Sequence, residues 1–93
     1  MKREKEIIKK CKPFLKKKYK VKKIGFFGSL AREEETKKSD VDILVEFSQP
    51  IGWEFIDLKD FLESKLGRRV DLVTKAALKP ELKNDILKDL IYA

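Results

Sequence analysis

Three short runs of β-branched and aromatic residues, separated by segments of helical period, set most of what this chain can fold into. They are Val21–Phe27, Val41–Phe47 and Arg69–Val73. Such runs bounded by Gly, Pro, Ser and Asp read as strands. Before the first run, residues 4–12 read as a helix with Ile7, Ile8 and Cys11 at helical spacing, and Pro13 starts a second short turn. A short helix is expected from Ser29 to about Glu35, followed by a polar connection from Thr36 to Ser39. Gln49 to Gly52 reads as a turn. Glu54–Leu66 carries Phe55, Leu58, Phe61, Leu62 and Leu66 along one stripe, and Gly67 stops it. Pro80 opens a last helix whose apolar residues are Leu82, Ile86, Leu87, Leu90 and Ile91. Helix and strand therefore alternate through one small domain spanning 1–93, of class α/β (α+β). Its expected core is a three- to four-stranded mixed sheet with helices packed on one face.

Side chains alternate across a strand, which sorts the residues by face. Ile24, Phe26, Val41, Ile43, Val45, Phe47, Val70 and Leu72 fall on one face, the expected core. Asp42, Leu44 and Glu46 fall on the other, with Arg69, Asp71 and Val73. Trp53 is assigned to the core, the commoner place for so large a ring.

Composition narrows the chemistry. The chain has no histidine and one cysteine, Cys11. Histidine-dependent catalysis, an internal disulfide and Cys/His zinc sites are thereby excluded. An enzyme built from this sequence works with carboxylates, hydroxyls, Lys, Arg and an oxygen-seeking metal. No apolar stretch approaches the ~20 residues of a membrane helix, and no signal-peptide-like run follows the start. The chain thus reads as soluble and cytoplasmic. Its net charge of +7 is unevenly spread: residues 1–23 hold 12 Lys and Arg against 2 Glu, and residues 24–93 hold 11 against 14 Asp and Glu. The basic segment suits a polyanion or an acidic partner, and equally a solubilising lysine coat.

Asp40 and Asp42 stand two apart at the start of a strand. At ~3.3 Å per residue their Cα atoms are about 6.6 Å apart, with both side chains leaving one face. If the strand carrying Asp71 is a neighbour, three acids converge, and like charges so close call for a cation. Mg²⁺ is the natural one, since it takes a few carboxylates with water and phosphate oxygens. For Asp71 alone, an ordinary strand-end role is as good a reading. Gly28-Ser29 follows a strand and opens a helix, a junction whose free N–H groups suit phosphate. Gly28 allows close approach, Ser29 offers a hydroxyl, and Arg32 lies one turn on. Alternatively Ser29 is a plain helix cap and Arg32 a surface charge. The Gly-Lys-Ser/Thr of a Walker A loop is absent.

Taken together, Gly28-Ser29, ten intervening residues and Asp40-Val41-Asp42 resemble the DNA polymerase beta-like nucleotidyltransferase superfamily, with Asp71 where the third acid falls. The closer resemblance is to its minimal nucleotidyltransferases, and it runs over nearly the whole chain. Where that group commonly follows its Ala-Arg pair with Gly, this chain has Glu33. The resemblance implies transfer of a nucleoside monophosphate from a triphosphate, with pyrophosphate leaving. Asp40, Asp42 and Asp71 are then catalytic and hold two Mg²⁺ ions, while Gly28, Ser29 and Arg32 bind the nucleotide. It further implies ATP as substrate and a partner's hydroxyl as acceptor, the chain serving as the antitoxin to a helical HEPN ribonuclease toxin. Two other readings stand beside this one: a non-catalytic antitoxin that acts by contact, and a nucleic-acid-binding module using residues 1–23. The last ranks third because aromatic residues, Tyr19 excepted, do not interleave with the lysines. Self-association is left open.

Overall fold

A computed structural model describes residues 2–33 and 40–93. The first helix, α1, spans Lys2–Tyr19 without a break, and Pro13 lies inside it. This corrects the expected stop at residue 12. Proline removes the bond to the carbonyl of Lys9, but Lys9 and Pro13 both face solvent, so water can satisfy that group. The inward stripe of Ile8, Leu15 and Tyr19 continues through.

Strands β1 (Val21–Phe27), β2 (Val41–Phe47), β3 (Val70–Thr74) and β4 (Ile91–Tyr92) form one sheet in the order β3-β2-β1-β4. β1 runs antiparallel to β2 and β4, while β2 and β3 are parallel. The sheet is therefore mixed and four-stranded. A single turn, α2 (Gly28–Ala31), follows β1. Helix α3 (Glu54–Leu66) makes the crossover that a parallel pair requires. A 3₁₀ turn over Lys75–Ala77 leads to α4 (Pro80–Asp89). The expected continuation of α4 through Ile91 is not found: Leu90 is extended, and Ile91–Tyr92 pair with Gly25 and Phe26. Two strand residues beyond an amphipathic helix leave no periodicity to read. Residues 34–39, covering the end of the expected second helix and the polar connection, lie outside the described residues.

Helices α1 and α3 pack on one face of the sheet and on each other. Ile8, Leu15 and Tyr19 meet Leu58, Leu62 and Leu66 over Ile24, Phe26, Val41, Ile43, Val45, Val70 and Leu72. Leu30 joins this core at 1% exposure and so pins α2. Phe47, Phe55 and Phe61 pack half-buried at its border. Trp53 does not belong to it. It is 83% exposed at the N-terminal boundary of α3, outside the helix's inward stripe. On the other face α4 meets β1 and α2. There Leu44 is buried, and Leu90 fills the space a side chain at Gly25 would take. No helix among the described residues is long and apolar enough to cross a membrane.

Candidate active site

The acids come together through strand register. Asp42 on β2 stands directly opposite Asp71 on β3. Neighbouring strands are about 4.8 Å apart, so in-register side chains on one face are in reach of each other. The two carboxyl groups are near enough for each to act on the other's ionisation. Asp40 lies one residue ahead of β2, exposed, and acts on Asp42 through its charge. Partial burial and the presence of Asp71 and Asp40 push the Asp42 pKa up from 3.8 to about 6, against a smaller pull from Arg32. Among the described residues no three His, Cys, Asp or Glu side chains are grouped closely enough to hold a metal ion by themselves.

The glycine–serine bend lies against the same acid. Phe27 pairs with Asp42 across β1 and β2. Gly28 then turns away at φ +70°, and a β-carbon there would collide with Oδ2 of Asp42. Only glycine meets both conditions without displacing the carboxyl. The cap position of α2 is Phe27, which makes no side-chain cap bond. Ser29 is therefore not the cap, and the first amides of α2 receive no side-chain acceptor from that position. Because α2 is one turn long, it offers local N–H groups rather than a long dipole.

Arg32 closes α2, its N–H bonding to the carbonyl of Gly28 at 3.1 Å. Its Nη1 donates to the Asp89 carboxylate at 2.8 Å, tying α2 to the end of α4. Sequence spacing gave no hint of Asp89, which lies 57 residues away. Glu33, standing where the related pattern has glycine, adopts φ +59°, a conformation that glycine takes without strain.

Among the described residues, the acids gathered at this corner offer oxygen donors to a metal. Two facing carboxyls that repel, with a third charge beside them, fit a hard divalent cation that uses one or two carboxylates and completes its shell with phosphate oxygens and water. A pair of acids beside a glycine turn whose cap position offers no side-chain acceptor suits a ligand that carries phosphate together with a divalent cation.

Comparison with known proteins gives the same class. The family model described as "Nucleotidyltransferase domain" matches residues 8–93, and the chain belongs to that family. It is 54% identical over 90 residues to "Putative protein adenylyltransferase MJ0128" of Methanocaldococcus jannaschii, covering 95% of this chain and 92% of that one. It is 44% identical over 79 residues to "Protein adenylyltransferase MntA" of Thermococcus cleftensis, covering 84% and 80%. Among solved structures, one described as a toxin-antitoxin with AMP-PNP superposes with a TM-score of 0.74 at 26% identity, over 96% of this chain and 70% of that one. The chain is also similar to a solved structure described as "Structure of putative minimal nucleotidyltransferase", with a TM-score of 0.76 at 32% identity over 96% of this chain and 87% of that one.

Proposed function

We propose that this protein is an ATP- and Mg²⁺-dependent protein adenylyltransferase, and that it acts as an antitoxin by modifying a hydroxyl on a helical HEPN-type toxin. The reading rests on one observation above all: the bend at Gly28 sits on the carboxyl of Asp42, which itself faces Asp71. A triphosphate docked at that bend has its reacting phosphorus beside both acids.

Asp42 and Asp71, with Asp40 beside them, would hold the metal in the two-ion arrangement of the family. Held there, Mg²⁺ would offset charge on the attacking and leaving oxygens. The chain's own groups bind and orient. The Ser29 hydroxyl and the opening amides of α2 hold the outer phosphates, and Arg32 adds charge from one side. Asp71, exposed at the sheet's edge strand, takes the proton of the acceptor hydroxyl. The freed oxygen attacks the α-phosphorus. The bond from that phosphorus to the bridging oxygen breaks, AMP passes to the acceptor and pyrophosphate leaves. Positioning and electrostatics carry the catalysis, and no histidine is needed. The relatives named as adenylyltransferases support the choice of AMP, and the toxin-antitoxin structure supports the partner.

The test is to co-purify the protein with the product of its neighbouring reading frame, add ATP and Mg²⁺, and measure intact masses. A gain in multiples of one AMP on the partner, absent with Asp42→Asn, is expected. An unmodified partner that is still neutralised by Asp42→Asn would leave contact, not transfer, as the mode of action.

A further inference from the structure

A second surface lies at the opposite side of the sheet from Asp71. Residues 9–23 contain nine lysines and no acidic residue. Four of them gather where α1 passes the β1–β4 edge. Lys12, Lys16 and Lys22 border a shallow cavity of about 510 Å³ floored by Pro13, Val21 and Ile24. Lys12, Lys22 and Lys23 border an adjoining one of about 220 Å³ with Tyr92. The two share Lys12, Lys22 and Ile24 and form one trough. Lys12 donates to the main-chain oxygen of Ala93 at 2.9 Å. Among the described residues, none of the four lysines pairs with an Asp or Glu side chain.

Beside the trough stands an aromatic ring open to solvent. Tyr19 is buried in the core at 4% exposure. Phe14 is 44% exposed but lines neither cavity, and its ring rests on Phe61 at 5.0 Å with Lys18 beside it. Tyr92, brought in by β4 from the far end of the chain, is 44% exposed, with Lys23 Nζ 5.5 Å from its ring centre.

We propose that this trough binds single-stranded nucleic acid, with phosphates along Lys12, Lys16, Lys22 and Lys23 and a base stacked on Tyr92. Cations without acidic side chains beside them, an apolar floor and an exposed ring complement a strand whose phosphates are charged and whose bases are flat and unpaired. A membrane surface fits worse, because the apolar stripe of α1 is spent in the core and cannot insert. An acidic protein would use the lysines but not the ring. The inference does not depend on nucleotidyl transfer, since no residue of the trough belongs to the acid corner.

The experiment is fluorescence anisotropy of the full chain with a labelled 20-nucleotide RNA of mixed sequence over a salt series. Four contacting lysines give a slope of about −3 in log K against log salt. Lys16→Glu with Lys22→Glu should weaken binding at least tenfold. Tyr92→Ala should weaken it about five- to a hundredfold, and Tyr92→Phe should restore it. Lys59→Glu with Lys65→Glu on α3 changes net charge equally and should leave binding within about twofold. Equal loss with the α3 pair, equal binding of duplex RNA, or equal binding of poly-glutamate would overturn the proposal. So would binding indifferent to both Lys16 and Tyr92. Circular dichroism separates a misfolded Tyr92→Ala from a folded one, and the Lys16 variant, on an exposed helix face, carries the test alone if needed.

Discussion

Oδ2 of Asp42 occupies the space in which a β-carbon at residue 28 would stand. Glycine at this bend is thus fixed by the Asp42 carboxyl as well as by backbone conformation. Gly28→Ala should cost about 1–2 kcal/mol for the left-handed conformation alone, and more from displacing the carboxyl. Urea unfolding should show a loss of at least about 2 kcal/mol, and AMP transfer should fall below detection. Gly67 has nearly the same φ, +67°, but a β-carbon there would meet nothing within 4 Å. Gly67→Ala should therefore show the conformational cost and little else.

Asp42→Asn should stabilise the metal-free protein while abolishing transfer. The folded state holds the Asp42 proton up to about pH 6, where the unfolded chain releases it near 3.8. The native state therefore binds more protons in that window, and stability falls as pH rises from about 4 to 6. Above that it stays lower by about 1 kcal/mol, once solvent screening of this half-exposed pair is allowed for. The gain from Asn should appear across the same window in chelator-treated protein and then level off. Adding Mg²⁺ should stabilise the parent and not the variant.

Glu33→Gly should raise stability by about 0.5–1 kcal/mol, measured by denaturant midpoint. Relief of the φ +59° conformation, about 1–2 kcal/mol, outweighs the extra freedom glycine gives the unfolded chain. The N–H of Glu33 bonds to the carbonyl of Leu30 at 3.2 Å, and glycine keeps that bond.

Leu62→Ala should cost about 2–5 kcal/mol, as a fully buried leucine on α3 leaves a cavity in the hydrophobic core. Calorimetry at saturating salt should show it, since no charge is involved.

Much of this architecture was legible in the residues. The alternation of apolar positions in Val41–Phe47 put Ile43 and Val45 inside and Asp42 outside, and the structure does the same. The stripe and stop signals of 54–67 gave α3 its bounds, because Gly67 takes the left-handed cap that glycine favours. The spacing of Gly28-Ser29 from Asp40 and Asp42 pointed to one corner, and the fold brings Gly28 and Asp42 into contact there. What escaped depends on partners distant in the chain. Nothing local marks Ile91–Tyr92 as a strand, since it exists only by pairing with Gly25 and Phe26. The Arg32–Asp89 link arises because α4 ends beside α2. Pro13 misled because its lost bond falls on the wet side of α1, and Trp53 because a large ring can stand at a helix start without entering the core.

Helix α3 packs on the face away from the acids, yet the meeting of Asp42 with Asp71 depends on it. The crossover sets how far β3 slides along β2, and a slip of one residue would turn position 71 inward and send Val70 or Leu72 out in its place. The hydrophobic fit of one layer thus serves as a caliper for the charged layer beneath it. Tolerance for error in that fit is a single pleat, so the spacing of leucines on another layer governs whether Asp42 and Asp71 face each other at all.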